Sequence, residues 1–182
     1  PWLKDKNQES IHTYFAPSAE KTHFVIDSSS VVTDGIRTLL PFDNIGIYNR
    51  KKFINLGGFD YTIQNPYWQS LDLALRSWLW GEETKITTML SFSYIEDSPL
   101  EDRTVNMDYL RYYLKNELPR IKNNKAYISR RNFIKFFFHS SCGYLEARRL
   151  FKAAKKWVEK NQYYFKKDLP NFIQNWKKKD EE

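Results

Sequence analysis

The sequence contains little of what secreted, membrane-spanning or metal-centred proteins require. Its 182 residues include one cysteine, Cys142, which cannot form an internal disulfide and therefore suits a reducing compartment. No apolar run approaches the roughly 20 residues that cross a bilayer, and no signal peptide opens the chain. The three histidines, His12, His23 and His139, lack the spacing of metal ligands. We therefore expect a cytoplasmic protein, with peripheral attachment to the inner face of a membrane as an option.

Signatures of several common enzyme classes are missing as well. The sequence has no Gly-rich phosphate loop of the Walker type, no Gly-x-Ser-x-Gly nucleophile elbow and no Asp-x-Asp. The first two absences argue against a P-loop NTPase and an α/β-hydrolase. The chain opens with Pro1 rather than Met, which leaves open whether its natural form extends upstream.

Composition and charge describe a folded chain with two unlike parts. Hydrophobic residues make up 41% and charged residues 28%, as in ordinary soluble proteins, and an aromatic content of 17% permits sugar binding without requiring it. The net charge of +7 is uneven: residues 1–119 carry 12 Lys/Arg and 16 Asp/Glu, whereas residues 120–182 carry 17 and 6. Because the positive charge belongs to the C-terminal part, we expect the two parts to do different work.

Local sequence patterns predict an α/β chain with strands and short helices first and an all-helical tail afterwards. Residues rich in β-branched and aromatic side chains favour strands over residues 11–15, 23–27, 44–48 and 85–94, with a turn at residues 16–19. From residue 104 onward the apolar spacing is helical. We expect helices over residues 107–118, 133–141 and 144–165, and a last turn at residues 171–176.

Two helices of the N-terminal part are predicted by their end signals. Asn49 is a suitable N-cap for a short helix over residues 50–56, which Gly57 would close. Asn65 can cap a longer helix whose first residue is Pro66 and whose end lies just before Gly81. Helical spacing gives this longer helix an apolar face of Leu71, Leu75 and Trp78.

Two stretches of the N-terminal part match one pattern in order and spacing. Residues 45–60 read Ile-Gly-Ile-Tyr-Asn-Arg-Lys-Lys-Phe-Ile-Asn-Leu-Gly-Gly-Phe-Asp, and residues 68–76 read Trp-Gln-Ser-Leu-Asp-Leu-Ala-Leu-Arg, followed by Trp80-Gly81. Over roughly residues 44–95 this combination resembles family 2 glycosyltransferases. In that family a Gly-Gly-Phe-Asp turn precedes a Trp-x-x-Glu-Asp-x-x-Leu-x-Arg pattern, to which residues 68–76 are similar.

The resemblance implies a GT-A fold, of which residues 1–103 would be the C-terminal, acceptor-side half and residues 104–182 a basic helical extension. It implies inverting transfer of a sugar from a nucleotide-sugar donor to a hydroxyl acceptor, carbohydrate or lipid-linked. A divalent metal, Mn²⁺ or Mg²⁺, would be held mainly by the donor-binding half. Because the sequence has no Asp-x-Asp and no preceding βαβ units, we expect that half to be missing and the chain alone to be inactive. The chain would then be a fragment, or its donor half is supplied separately or lost.

By this resemblance Asp72 would be the catalytic base that deprotonates the acceptor hydroxyl. Trp68, Asp72 and Arg76 follow at four-residue steps, so they share one stripe of a helix. Trp68 could then offer its ring to a sugar while Arg76 supports the acceptor site. The spacing alone favours a plainer alternative, an exposed Asp72–Arg76 pair worth about 0.3 kcal/mol.

The resemblance also assigns Gly58, Phe59 and Asp60 to the acceptor pocket, with a plain helix-ending turn as the alternative. The chain departs from the family at Leu71, where Glu is usual. Some relatives place a metal-binding His roughly twenty residues beyond the base, but residues 91–94 here read Ser-Phe-Ser-Tyr. Glu96 or Asp97 could substitute for it, although a solvated loop is the favoured interpretation, so no metal ligand is assigned.

The basic C-terminal part provides the competing interpretation. Its cations at positions 148, 149, 152, 155, 156 and 160 interleave with Leu145, Phe151, Trp157 and Tyr164. Such a basic amphipathic helix can lie on an anionic membrane surface or bind a polyanion, with nucleic acid the less favoured partner. The alternatives are therefore a non-catalytic interaction module, a degenerate glycosyltransferase that binds sugar without turnover, or a helix whose apolar face packs on the domain.

Overall fold

A computed structural model describes residues 2–20, 23–29 and 33–180, and these residues form a mixed α/β fold. Its six helices are α1 (Arg50–Asn55), α2 (Pro66–Leu79), α3 (Met107–Asn116), α4 (Asn132–Ser140), α5 (Tyr144–Lys160) and α6 (Leu169–Asp180). Its strands are β1 (Trp2–Lys4), β2 (Tyr14–Glu20), β3 (His23–Ser29), β4 (Ser91–Ser93), β5 (Arg120–Lys122) and β6 (Lys125–Tyr127). The strands form three two-stranded sheets: β1 pairs with β4 in parallel, and β2 with β3 and β5 with β6 pair antiparallel.

Helix α2 begins and ends where its capping residues predict. The Asn65 side chain accepts a hydrogen bond from the Trp68 backbone N–H at 3.1 Å, and Pro66 occupies the first turn, where its missing N–H costs nothing. Gly81 follows the helix end at a φ of +95°. The predicted apolar face is buried and consists of Leu71, Leu75 and Trp78.

One hydrophobic core joins the N-terminal and C-terminal parts of the chain. Helix α2 packs against α3 and α6, and α5 packs against α3 and α4. The Trp78 ring of α2 lies 5.6 Å from the Phe172 ring and 5.0 Å from the Trp176 ring of α6, centroid to centroid. The C-terminal helices therefore cover α2.

Three strand and turn predictions for the N-terminal part are wrong. Residues 44–48 form no strand: Asn44 ends a short 3-10 helix, Phe42–Asn44, at a φ angle of 56°, and residues 45–48 pair with no strand of the described chain. Residues 16–19 lie in β2 rather than in a turn; Pro17 is tolerated there because each strand of a two-stranded sheet has an unpaired edge. Of the predicted strand over residues 85–94, only Ser91–Ser93 is a strand.

The prediction of an all-helical tail is also wrong, because the β5–β6 hairpin follows α3. Asn123 and Asn124 join the two strands at φ angles of 52° and 58°. A two-residue type I′ turn needs such left-handed conformations, and asparagine tolerates them better than most residues do. Helix α5 ends at Lys160 rather than at residue 165, and α6 is longer than the single turn predicted.

Candidate functional site

The Gly-Gly-Phe-Asp turn follows α1 in a conformation that requires glycine. Gly57 and Gly58 have φ angles of +86° and +66°, a left-handed region that other residues rarely adopt. Their N–H groups donate to the carbonyl oxygens of Ile54 and Phe53 at 2.9 and 3.0 Å. The two glycines therefore allow a tight closure of α1.

The side chain of Arg76 connects this turn to α2. Its Nη1 donates to the carbonyl oxygen of Leu56, and its Nη2 donates to the carbonyl oxygen of Gly58 at 2.9 Å. The same Nη2 lies 2.6 Å from Oδ2 of Asp72, one helical turn earlier. The two motif stretches seen in the sequence are thus in direct contact through one guanidinium.

Asp72 is completely buried, with 0% of its surface exposed. Its Oδ2 is paired with Arg76, and its Oδ1 accepts a hydrogen bond from Nδ2 of Asn116 in α3 at 2.7 Å. The alternative of an exposed Asp72–Arg76 pair is therefore wrong. The Oδ1 of Asn116 is also buried and has no hydrogen-bond partner in the described part of the chain.

Trp68 lies in the interface of α2 and α3, with 7% of its surface exposed. Its ring centroid lies 4.9 Å from that of Tyr109 and 5.3 Å from that of Tyr112. Its indole N–H donates to the carbonyl oxygen of Thr104 at 2.9 Å. In this arrangement the Trp68 ring serves the packing of α3 on α2 and offers no open face.

A groove of about 710 Å³ lies between the glycine turn and α5. Of the predicted site residues, the structure brings three to its wall: Phe59, Asp60 and Arg76. The other three, Gly58, Trp68 and Asp72, do not line the groove. The candidate site is therefore this groove together with the buried pair that supports the adjacent turn.

Asp60 is the one carboxylate among the residues that line the groove. Lys115 of α3 forms an ion pair with its Oδ2, while its Oδ1 accepts hydrogen bonds from the backbone N–H and hydroxyl of Thr62 at 3.0 and 2.8 Å. Burial alone would raise the pKa of Asp60, but Lys115 and Thr62 outweigh it and hold the pKa below its ordinary value. The groove thus contains an ionised acceptor of hydrogen bonds.

Five aromatic residues line the groove, Phe59, Tyr61, Trp80, Trp157 and Tyr164, and three of them stack on one another. Trp80 stacks on Tyr164 with a centroid separation of 4.8 Å and on Trp157 of α5 with a separation of 6.0 Å. Nε1 of Trp80 is buried and has no hydrogen-bond partner among the described residues. Aromatic rings next to unsatisfied polar groups suit ligands with both apolar faces and hydroxyl groups.

The contributions of Lys115, Trp157 and Tyr164 to the site were missed in the sequence. Lys115 lies 55 positions from Asp60, and Tyr164 lies 84 positions from Trp80. The only signal in the sequence was the mixture of aromatic and basic residues in α5. This mixture indicated a membrane or polyanion surface, with a helix whose apolar face packs on the domain as the alternative. In the structure Ala147, Phe151 and Val158 of this helix pack into the core.

A second cavity, of about 370 Å³, is lined by residues 44–49, residues 82–87 and the small side chains of α2. It contains none of the predicted site residues. Elsewhere in residues 2–20, 23–29 and 33–180, no three His, Cys, Asp or Glu side chains are placed to hold a metal ion. None of the helices in these ranges has both the length and the apolar character needed to cross a bilayer.

Neither a scan of the chain against models of known protein families nor a search of curated proteins gave a match. The family resemblance therefore rests on the residues of the two motif stretches alone.

Proposed function

We propose that this chain is the acceptor-side part of a family 2-like glycosyltransferase with a GT-A fold. The enzyme would move a sugar from a nucleotide-sugar donor to a hydroxyl acceptor, with inversion at the anomeric carbon. The observation that carries this proposal is the double contact of Arg76, which is paired with Asp72 and donates to the Gly58 carbonyl oxygen. Two separate motif stretches of the family are thereby joined beside a groove lined by Phe59 and Asp60.

In the proposed reaction Asp72 accepts the proton of the acceptor hydroxyl as that oxygen bonds to the anomeric carbon and the nucleotide diphosphate leaves. Because Oδ2 is paired with Arg76, Oδ1 is the oxygen that takes the proton. Because Asp72 is completely buried and does not line the groove, an acceptor can reach Oδ1 only if the Asn116 amide leaves it and the contact between α2 and α3 opens. We therefore assign to Asn116, together with an opening of this contact, the movement that uncovers the base.

The donor nucleotide and a divalent metal, Mn²⁺ or Mg²⁺, belong in this proposal to a donor-binding half outside the chain. The residues of the chain do not fit a metal, since no suitable group of ligands occurs in its described part. The role of the chain is therefore to bind the acceptor and position its hydroxyl.

The proposal is tested with the longest natural form of the protein. Release of nucleotide diphosphate would be followed for a panel of nucleotide sugars with Mn²⁺ or Mg²⁺ and candidate saccharide acceptors. We expect acceptor-dependent release and a product of inverted anomeric configuration by NMR. Absence of both turnover and nucleotide binding across the panel would contradict the proposal and favour an interaction module.

A second candidate function, binding to an anionic membrane surface, is favoured by one exposed apolar patch. We define this patch as Ile134, Phe138, Tyr144 and Leu145, of which Phe138 is 77% and Leu145 79% exposed. Residues 130–156 around it carry eight Lys/Arg and one acidic residue, Glu146. Apolar side chains within a cationic surface fit the headgroup region of anionic lipids at the inner face of a membrane.

The membrane hypothesis is tested by flotation with liposomes of neutral lipid, with and without anionic phosphatidylserine. Binding is expected only with phosphatidylserine, and Phe138→Ser with Leu145→Ser should abolish it. The matched control is Tyr61→Ser with Ile95→Ser, which removes two exposed apolar side chains outside the patch. Equal loss of liposome binding in both double variants, or no flotation of the wild type at low salt, would rule out membrane binding as a function.

A further inference from the structure

Helix α5 presents one continuous stripe to the groove. The stripe contains Arg149, Ala153, Trp157 and Lys160, which follow at steps of three or four residues. At 1.5 Å per residue, Arg149 and Lys160 lie about 16 Å apart along the helix. A site of this length suits an extended ligand better than a single small ring.

The middle of the stripe combines space with surfaces that suit a sugar. Ala153 and Ala154 have small side chains, so the groove is open between its two charged ends. Beyond them lie Trp157 and the Trp80 ring, whose buried N–H has no partner among the described residues. Because that N–H is buried, it can donate to a hydroxyl or ether oxygen of a ligand only after a neighbouring side chain moves.

The cations of the groove differ in their availability. Arg76 and Arg111 are paired with carboxylates at 2.6 and 2.7 Å, and Lys115 is paired with Asp60. Lys160 has no ion pair within the described ranges, and Arg149 lies 3.9 Å from Glu146 with its side chain 76% exposed. The two ends of the stripe therefore hold the least tightly paired cations of the groove, because the contact of Arg149 with Glu146 is long and exposed.

We propose that this groove binds an extended polyanionic saccharide, one that carries carboxylate groups along its length. Arg149 and Lys160 would contact its negative groups, and the aromatic rings and Asp60 would contact its sugar faces and hydroxyls. Asp60 favours a saccharide over a nucleic acid, because a carboxylate accepts hydrogen bonds from hydroxyls, which a saccharide carries on every ring. This inference rests on the proposed function in so far as it names the saccharide as the acceptor.

The test measures binding of a galacturonate hexamer to the chain by calorimetry at low salt. The control ligand is the same hexamer with its carboxyl groups reduced, which is neutral and equal in length. We expect the carboxylated hexamer to bind at least about tenfold more tightly, since each charged contact at an exposed site contributes modestly. Equal affinity for the two hexamers would overturn the proposal.

Paired variants locate the binding site on α5. Arg149→Gln with Lys160→Gln should weaken binding of the carboxylated hexamer at least about fivefold. Lys152→Gln with Lys156→Gln removes the same charge from exposed positions of α5 that do not line the groove and should leave affinity within about twofold. Equal weakening by both pairs, or tighter binding of a single-stranded DNA oligonucleotide of matched charge, would overturn the assignment.

Turnover separates this inference from the proposed function. Transfer to the reduced hexamer as efficient as to the carboxylated one, measured with the longest natural form, would contradict a polyanionic acceptor and leave the glycosyltransferase proposal intact. Selective binding of the carboxylated hexamer without turnover of any nucleotide sugar would support the groove assignment and contradict the enzyme.

Discussion

The buried ion pair of Asp72 and Arg76 also connects helix α2 to the preceding glycine turn. The guanidinium holds two carbonyl oxygens of the preceding turn as well as the carboxylate, so losing it leaves several buried polar groups unpaired. Breaking a buried ion pair by removing one partner typically costs about 3–5 kcal/mol. An exposed pair of the same residue types contributes about 1 kcal/mol or less.

We expect Arg76→Met to lower the free energy of unfolding by about 3–5 kcal/mol in urea denaturation. The matched control is Arg103→Met, since Arg103 is paired with Glu101 at 2.6 Å but its side chain is 57% exposed. The control should cost less than about 1 kcal/mol. Similar small costs for both variants would mean that the Arg76 contacts contribute little to folding.

Glu117 makes the stability of the fold depend on pH. Burial raises the pKa of this carboxyl to about 7, although the Tyr112 hydroxyl and Arg120 act in the opposite direction. The folded chain therefore holds a proton on Glu117 that the unfolded chain releases above its ordinary pKa of 4.5. The contribution of this protonated carboxyl to the free energy of unfolding is fully present below pH 4.5. It is lost as the pH rises through about 7, because the carboxyl then ionises at a buried position.

Glu117→Gln should remove this part of the pH dependence. At pH 8 the variant should be more stable than the wild type by on the order of 2–3 kcal/mol, and near pH 4 the two should be equal. The measurement is urea denaturation of both proteins at several pH values. If the difference between the proteins did not change with pH, Glu117 would not be the titrating group.

At the scale of elements, the sequence was most informative where local chemistry decides the structure. Helix α2 was predictable because Asn65, Pro66 and Gly81 act through their own backbone neighbours. The β5–β6 hairpin was missed because its signal is the pair Asn123-Asn124, which lies between short strands without clear alternation. The strand predicted over residues 44–48 failed because its exposed side chains, such as Ile47, find no partner strand.

The candidate site was only partly predictable for a related reason. The glycine turn and the Asp72–Arg76 stripe are local features that the sequence shows directly. The groove, however, forms only because α5 packs beside the turn. The spacing of apolar residues predicts that a helix has an apolar face, but it does not predict which element covers that face. The contact of Lys115 with Asp60 and the stacking of Tyr164 on Trp80 depend on this packing.

The conformation of the turn gives an element-scale prediction. Gly58→Ala should destabilise the chain by about 2 kcal/mol, because alanine is strained at positive φ. The added Cβ would also lie 3.2 Å from the Phe53 ring. Gly46→Ala is the control, since Gly46 lies outside the left-handed region and its added Cβ would make only ordinary contacts, the nearest at 3.7 Å.

The control substitution at Gly46 should be neutral or stabilise by about 0.5 kcal/mol. Thermal unfolding of the two variants, each compared with the wild type, measures the difference. Equal effects at Gly58 and Gly46 would show that the turn tolerates a side chain and does not require glycine.

At the scale of the whole molecule, the C-terminal part has two structural roles, which its composition alone does not distinguish. Helix α6 covers α2 through Phe172 and Trp176, so this part completes the hydrophobic core. Helix α5 packs one face inward and presents a second face to the groove, where Arg149 and Lys160 lie. Part of the positive charge of residues 120–182 therefore lines the groove.

The most direct test of the account compares the turnover number of the longest natural form with that of Asp72→Asn and Asp72→Glu at saturating acceptor. We expect kcat to fall by about 10²–10⁴ in both variants, because each removes or displaces the proposed base. Acceptor affinity and a cooperative thermal transition above the assay temperature must be retained. Asp27→Asn, at an exposed position of β3, should leave kcat unchanged. If folded Asp72→Asn kept the wild-type kcat, Asp72 would not be the base and the central claim would be contradicted.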